Sequence, residues 1–285
     1  MKQVFTLLAF VLMSSGLAQV PEYVPADGLL AWYPFNSTSE DAGPGGFDMC
    51  ATEISFVEGR WGDVNGAYSS TYGGQILSSC AAEGEWSDEI TYSMWFNPTD
   101  LTVDPYPSDW FALLTMNGWT QSALGVLLSI QGAPCLSNQC LIRPHWPSNQ
   151  SFGECADVVS NEWYHLCVTG SHDSSFTYLN GQMILSSIHE DGTDFSEVPF
   201  GWTLGASTVD HTYHFKGAFD DVGIWNRALS EDEVMTLFNA PAPASGCTDQ
   251  SACNYILGAQ IDDGSCVSCV VATAFCGEGT TWDAE

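Results

Sequence analysis

Along most of the chain, apolar and polar residues change places every one or two positions rather than every three or four. Tyr164, Leu166 and Val168 alternate with His165, Cys167 and Thr169, the period of a half-buried strand. Runs rich in β-branched and aromatic residues at 29–35, 90–96, 123–130, 163–169, 176–179 and 215–225 lie between Gly, Asn, Asp and Pro turns and predict strands. Asn180-Gly181 predicts a tight hairpin, because a type I′ turn needs positive φ at both central residues. Many short strands without intervening helices predict an all-β body over 19–239, folded as a two-sheet antiparallel sandwich.

One helix is predicted, and it closes the body. Ser230 and Glu233 form a capping box, in which each side chain satisfies an orphan N–H of the first turn. Glu231 and Asp232 suit the positive end of the helix dipole. Val234, Leu237 and Phe238 make one apolar stripe. The segment 240–245 (APAPAS) is a stiff linker. The tail, 246–285, carries Cys247, Cys253, Cys266, Cys269 and Cys276 and no Lys or Arg. So short a segment buries little core, so disulfides or an ion must hold it.

Composition narrows the partners. Five Lys and Arg stand against 35 Asp and Glu, a formal charge of −30. Nucleic-acid binding is excluded for want of cations to neutralise phosphate, and docking to an anionic membrane fails for the same reason. Cations, neutral glycans and protein surfaces remain. Lys2, the apolar stretch 4–13 and Gly16-Leu17-Ala18 read as an export signal, cleaved after residue 18. No later run is long and apolar enough for a membrane helix, and Gln19 stands where a lipoprotein needs Cys. The expected location is therefore extracellular, secreted or at the cell surface, where eleven cysteines would oxidise. In the body, spacing favours Cys135–Cys140 and Cys155–Cys167, leaving Cys50 for Cys80, although spacing alone does not fix connectivity. Cys266 and Cys269 form a C-x-x-C pair, but no His follows His214 to complete a zinc site.

Five ordered segments carry a family resemblance: 28–36 (GLLAWYPFN), 90–98 (ITYSMWFNP), 162–166 (EWYHL), 176–181 (FTYLNG) and 215–234 (FKGAFDDVGIWNRALSEDEV). Over about 28–239 the chain resembles the laminin-G-like family, with its concanavalin A-type jelly-roll. The resemblance implies two antiparallel sheets, often a structural Ca²⁺, and roles in binding glycan or protein. The tail, C-T-D-x-x-A-C-N-Y and then D-D-G-S-C, resembles short repeats of secreted marine Bacteroidetes proteins. The odd tail cysteine and the ending at 276–285 suggest an incomplete repeat with further C-terminal modules; a complete chain with an intermolecular bridge is the alternative.

The candidate chemistry follows. Ca²⁺ needs six to eight oxygens. Asp41 and Asp48 sit in the Gly-rich loop 36–48, with Asn36 a further donor. Counting by twos places Asp220 on the inward face with Val222 and Ile224, where a carboxylate must be paired or metal-bound. The resemblance implies that the loop acid and the closing-strand acid meet, so Asp41 and Asp220 are the expected Ca²⁺ ligands. Asp249, Asp262 and Asp263 could serve a second ion, although turn formation explains them as well. Trp110, Trp119, Trp146 and Trp202 lie near turns and are the candidate sugar-stacking residues, whereas packing is the usual fate of an aromatic. No strand sets acids at alternate positions, as a pair of glycosidase carboxylates about 5 Å apart would need. No G-x-S-x-G, H-E-x-x-H or phosphate loop occurs either. The chain therefore reads as a non-catalytic binding or adhesion module, with a structural surface-display protein and a glycoside hydrolase or polysaccharide lyase as the alternatives.

Overall fold

A computed structural model describes residues 20–51, 54–71, 77–80, 83–101, 110–116, 124–129, 135–136, 139–146, 153–189, 192–193, 195, 198, 200–207, 213–256, 259 and 261–269. The export signal, Trp119 and Cys276 lie outside these residues. The first half contributes β1 (Leu29–Tyr33), β2 (Met49–Cys50), β3 (Phe56–Val57), β4 (Ala67–Ser70), β5 (Leu77–Ser79), β6 (Glu89–Pro98), β7 (Trp110–Met116), β8 (Leu124–Ser129) and β9 (Cys140–His145). The second contributes β10 (Glu154–Ala156), β11 (Tyr164–Ser171), β12 (Ser174–Leu179), β13 (Gln182–Ile188), β14 (Thr203–Leu204), β15 (Gly217–Trp225), α1 (Glu231–Phe238), β16 (Ser245–Gly246) and β17 (Ile261–Asp262).

Two antiparallel sheets form the body. One runs β13-β12-β11-β6-β15-β4-β3, with β1 also on β15; the other runs β10-β9-β8-β7-β14-β5-β2. The core lies between them and follows the alternation. Ile90, Tyr92, Met94 and Phe96 of β6 and Tyr164, Leu166 and Val168 of β11 meet Leu114, Leu124, Val126, Leu128 and Ile142 of the other sheet. Trp146 and Trp202 are 1% exposed and belong to this core. Each such side chain contributes roughly 1.5–3 kcal/mol or more by leaving water.

A second apolar cluster covers the outside of the first sheet. Trp32, Cys167, Tyr178 and Trp225 pack there beneath Val234 and Leu237 of α1. The helix has its capping box: Glu233 N–H donates to Ser230 Oγ, and Ser230 N–H donates to the Glu233 carboxylate. Glu233 also takes two bonds from Arg227, and that pairing lowers its carboxyl to about 2. The Asn180-Gly181 hairpin has φ of 50° and 74°, the positive pair its turn type requires.

The cysteine pairing differs from spacing. Cys50–Cys80 forms, but Cys135 joins Cys155, and Cys140 and Cys167 are free and buried. Sheet geometry gives the reason. Cys140 faces the core, its thiol on the Val158 carbonyl, whereas Cys155 opposes Leu141, one position on and therefore on the other face. Cys167 lies in the other sheet, opposite Ser93 and Tyr178, beyond reach of Cys155. In the tail, Cys247–Cys266 and Cys253–Cys269 staple a parallel β16–β17 pair. Each closes a loop worth about 3 kcal/mol in a chain-entropy account.

Candidate functional site

The carboxylates expected to share a Ca²⁺ occupy two separate hydrogen-bond networks. Asp41 turns both oxygens onto backbone amides: Oδ1 accepts from Trp32 (2.9 Å) and Gly43 (2.7 Å), and Oδ2 from Phe47 (2.9 Å). Asp48 accepts from Asp41 N–H at 2.9 Å, so the pair winds its own loop against β1. Gly45 belongs to that close approach, since a Cβ there would lie 2.3 Å from the Leu30 carbonyl oxygen. Asn36 is half-buried just after β1.

Asp220 is buried, as expected, but on the opposite face from the one that alternation predicts. The β15–β6 register shifts between Asp220 and Gly223, and Asp221 has φ of 46°. This is a one-residue bulge, and Asp tolerates the left-handed conformation better than most residues. Phe219, Val222 and Ile224 therefore face the core, while Asp220 and Asp221 both meet Arg60 on the outside. Asp220 accepts Arg60 N–H at 3.0 Å. Asp221 accepts from Arg60 Nε at 3.1 Å and Nη2 at 2.5 Å, and from the Tyr23 hydroxyl at 3.3 Å. The side chains of Arg60 and Asp221 are only 3% and 10% exposed. Burial raises Asp220 well above the carboxylate range, and the charge of Asp221 adds to this. Burial also raises Asp221, against the pull of Arg60. Among the described residues, no group of three or more His, Cys, Asp or Glu is arranged to hold a metal ion. Asp249, Asp262 and Asp263 close their own tail turns through Ser251, Gly264 and Ser265 amides.

Arg60 also organises the aromatics. Its guanidinium lies 4.2 Å from the Trp61 ring centre and 4.5 Å from that of Trp95, and Trp95 stacks on Phe238 of α1 at 5.9 Å. His165 packs on Trp95, is 1% exposed and meets Ser93 Oγ at 2.9 Å. Burial, and then Arg60, lower it to about 3, so it stays neutral and structural. Sequence reasoning passed over Arg60 and Trp61. The available signal was a rare Arg beside a Trp in a Gly-rich turn.

The candidate sugar-stacking tryptophans divide. Trp146 packs on Phe195 and His189, and Trp202 donates its Nε1–H to the Tyr33 hydroxyl at 3.1 Å; both are core residues, a correction to the surface placement. They lie at strand ends in sequence, yet face inward between the sheets. Trp110 is half-buried at the start of β7, with the Arg143 guanidinium 5.3 Å over its ring. On the same face of that sheet, Ser78, Thr203 and Thr115 form a row across β5, β14 and β7, but Thr203 and Thr115 are at most 2% exposed.

The geometry defines a jelly-roll whose buried acids hold loops together. Residues 70–235 match the profile described as Laminin_G_3, the concanavalin A-like lectin/glucanases superfamily. The chain belongs to this family. No curated protein matches it in sequence. Among solved structures it is similar to domain 4 of AbnA, an extracellular GH43 arabinanase of Geobacillus stearothermophilus, in complex with arabinotriose. The identity is 20%, the TM-score 0.53, and the match covers 74% of this chain and 98% of that one. It is also similar to the binding domain of botulinum neurotoxin serotype D, at 13% identity and TM-score 0.52, covering 75% of this chain and 52% of that one. The botulinum neurotoxin G receptor-binding domain gives 13% and 0.51, over 74% and 51%. The match spans about half the length of these toxin domains. At such identities the likeness shows the fold.

Proposed function

We propose that the chain is a non-catalytic binding module acting outside the cell, recognising a neutral glycan or a protein surface. The observation that carries this reading is how the fold uses its acids. Asp41, Asp220, Asp221 and Glu233 are engaged by backbone amides or guanidinium groups, so these acids serve the fold rather than a reaction. The domain of the arabinanase seen with arabinotriose and the toxin receptor-binding domains support binding as a use of this fold. The net charge of −30 argues for neutral over sulfated or uronic glycans. The four disulfide bridges among the described residues support an oxidising compartment. The test is a glycan array probed with the full chain, alongside capture on extracellular protein fractions. Saturable binding to a neutral glycan or to a defined protein supports the reading. Binding to neither removes it.

A further inference from the structure

We propose that Trp61 is the stacking platform of a glycan site for neutral pyranose sugars, on the outer side of the first sheet. This rests on the glycan branch of the function proposed above. Among the described residues, Trp61 is the one exposed Trp, Tyr or Phe, at 40%; the others are buried or half-buried. Packing is the default for an indole, so an exposed one held in place calls for an account.

Its loop, 58–66 between β3 and β4, is built to hold it. Gly59 N–H donates to the Asp63 carbonyl at 2.9 Å, Gly62 N–H to that of Gly59 at 3.0 Å, and Ser37 N–H to that of Asn65 at 2.8 Å. Gly62 and Asn65 take positive φ, 81° and 57°. Gly66 admits no side chain, because a Cβ there would overlap the Asp63 carboxylate. The Arg60 guanidinium lies against the indole, is fixed by Asp221 and also lies against the Trp95 ring, which in turn stacks on Phe238. Trp61 is therefore 40% exposed while its ring is tied to a buried guanidinium. A ligand laid on it meets a ring whose orientation is already set, so little ordering cost opposes binding.

The surroundings select the ligand class. Glu58 and Asn65 are exposed on the same loop and offer acceptors and an amide donor for hydroxyls. A pyranose presents both of the features required, a C–H face for the indole and hydroxyls at its edge. A lipid surface is the competing occupant, since Val64, 74% exposed, lies on the same loop. The charge of −30 and the exposed Glu58 disfavour anionic headgroups.

The experiment compares the full chain with Trp61→Ala, Trp61→Phe and Ile188→Ala by titration calorimetry. The probes are soluble neutral β-glucan, galactan and arabinan, and zwitterionic phosphatidylcholine vesicles. We expect the wild type to bind at least one pyranose polymer and Trp61→Ala to weaken it at least about tenfold, as loss of a central aromatic anchor does. Trp61→Phe should be intermediate and Ile188→Ala, an exposed apolar residue on β13, unchanged, with melting points alike. Undiminished glycan binding by Trp61→Ala overturns the inference while leaving a glycan-binding module. Equal destabilisation by both Trp61 variants overturns it in favour of packing. Vesicle binding that depends on Trp61, without glycan binding, overturns it in favour of lipid. A wild type that binds no neutral glycan removes the glycan reading itself.

Discussion

Replacing Arg60 with Met should be the most damaging single change on the outer face of the first sheet. The guanidinium is 3% exposed and bonded to an Asp221 side chain that is 10% exposed, and its backbone N–H serves Asp220. Met keeps the amide and much of the stem but leaves two buried carboxylates without their cation. Removing one partner of a buried pair costs about 3–5 kcal/mol, mainly as the penalty on the charge left behind. For a body of this size that corresponds to a fall of roughly 6–20 °C in melting midpoint. The assay is urea denaturation of wild type, Arg60→Met, Asp221→Asn and the double variant. Asp221→Asn in the Arg60→Met background removes one stranded charge and should recover about half of the loss or more. A single-variant cost below about 1 kcal/mol, or a double variant as costly as the sum of the singles, would refute the account of Arg60 as the counter-ion of the bulge.

Asp220→Asn should stabilise the protein increasingly as pH rises above about 4. The native carboxyl is raised, so the folded state binds more protons than the unfolded state between the ordinary value and the raised one, and stability falls across that window. A constant difference between variant and wild type from pH 4 to 8 contradicts this. Glu233 acts in the opposite sense: its carboxyl is lowered to about 2, so its contribution is present above about 4.5 and fades as pH falls towards 2, and Glu233→Gln should remove that acid-side loss in denaturation curves. Non-reducing peptide mapping should recover Cys135–Cys155 and leave Cys140 and Cys167 as thiols that react with maleimide only after unfolding, since burial raises both; a Cys155–Cys167 peptide contradicts the sheet assignment. Because Asp41 is held by three backbone amides and Asp220 by Arg60, EDTA and millimolar Ca²⁺ should give the same melting midpoint; a rise of several degrees with Ca²⁺ contradicts this and supports a bound ion.

The sheets, the Asn180-Gly181 hairpin and the capped helix were legible because each rests on a local rule: alternation, a turn dipeptide, a capping box. What the pattern missed depends on long-range geometry. The bulge at Asp221 adds one residue to β15 and reverses the face of Asp220, and counting by twos cannot detect an insertion. Arg60, the partner of that strand, lies 160 residues away in the chain. Cys135 meets Cys155 rather than Cys140 because sheet pairing, not loop length, brings thiols together. Trp146 and Trp202 sit beside turns yet point between the sheets, where the space is large enough for indoles. Trp61 was overlooked because its orientation depends on the Arg60 guanidinium against it.

Binding without catalysis is measured by incubating the full chain with a panel of neutral polysaccharides and following two quantities in the same tubes: protein depleted onto the polymer and reducing ends released. Saturable depletion is expected on at least one polymer, with reducing ends at the level of the buffer control over a day. Release of reducing ends that scales with protein concentration would contradict it and identify a glycoside hydrolase.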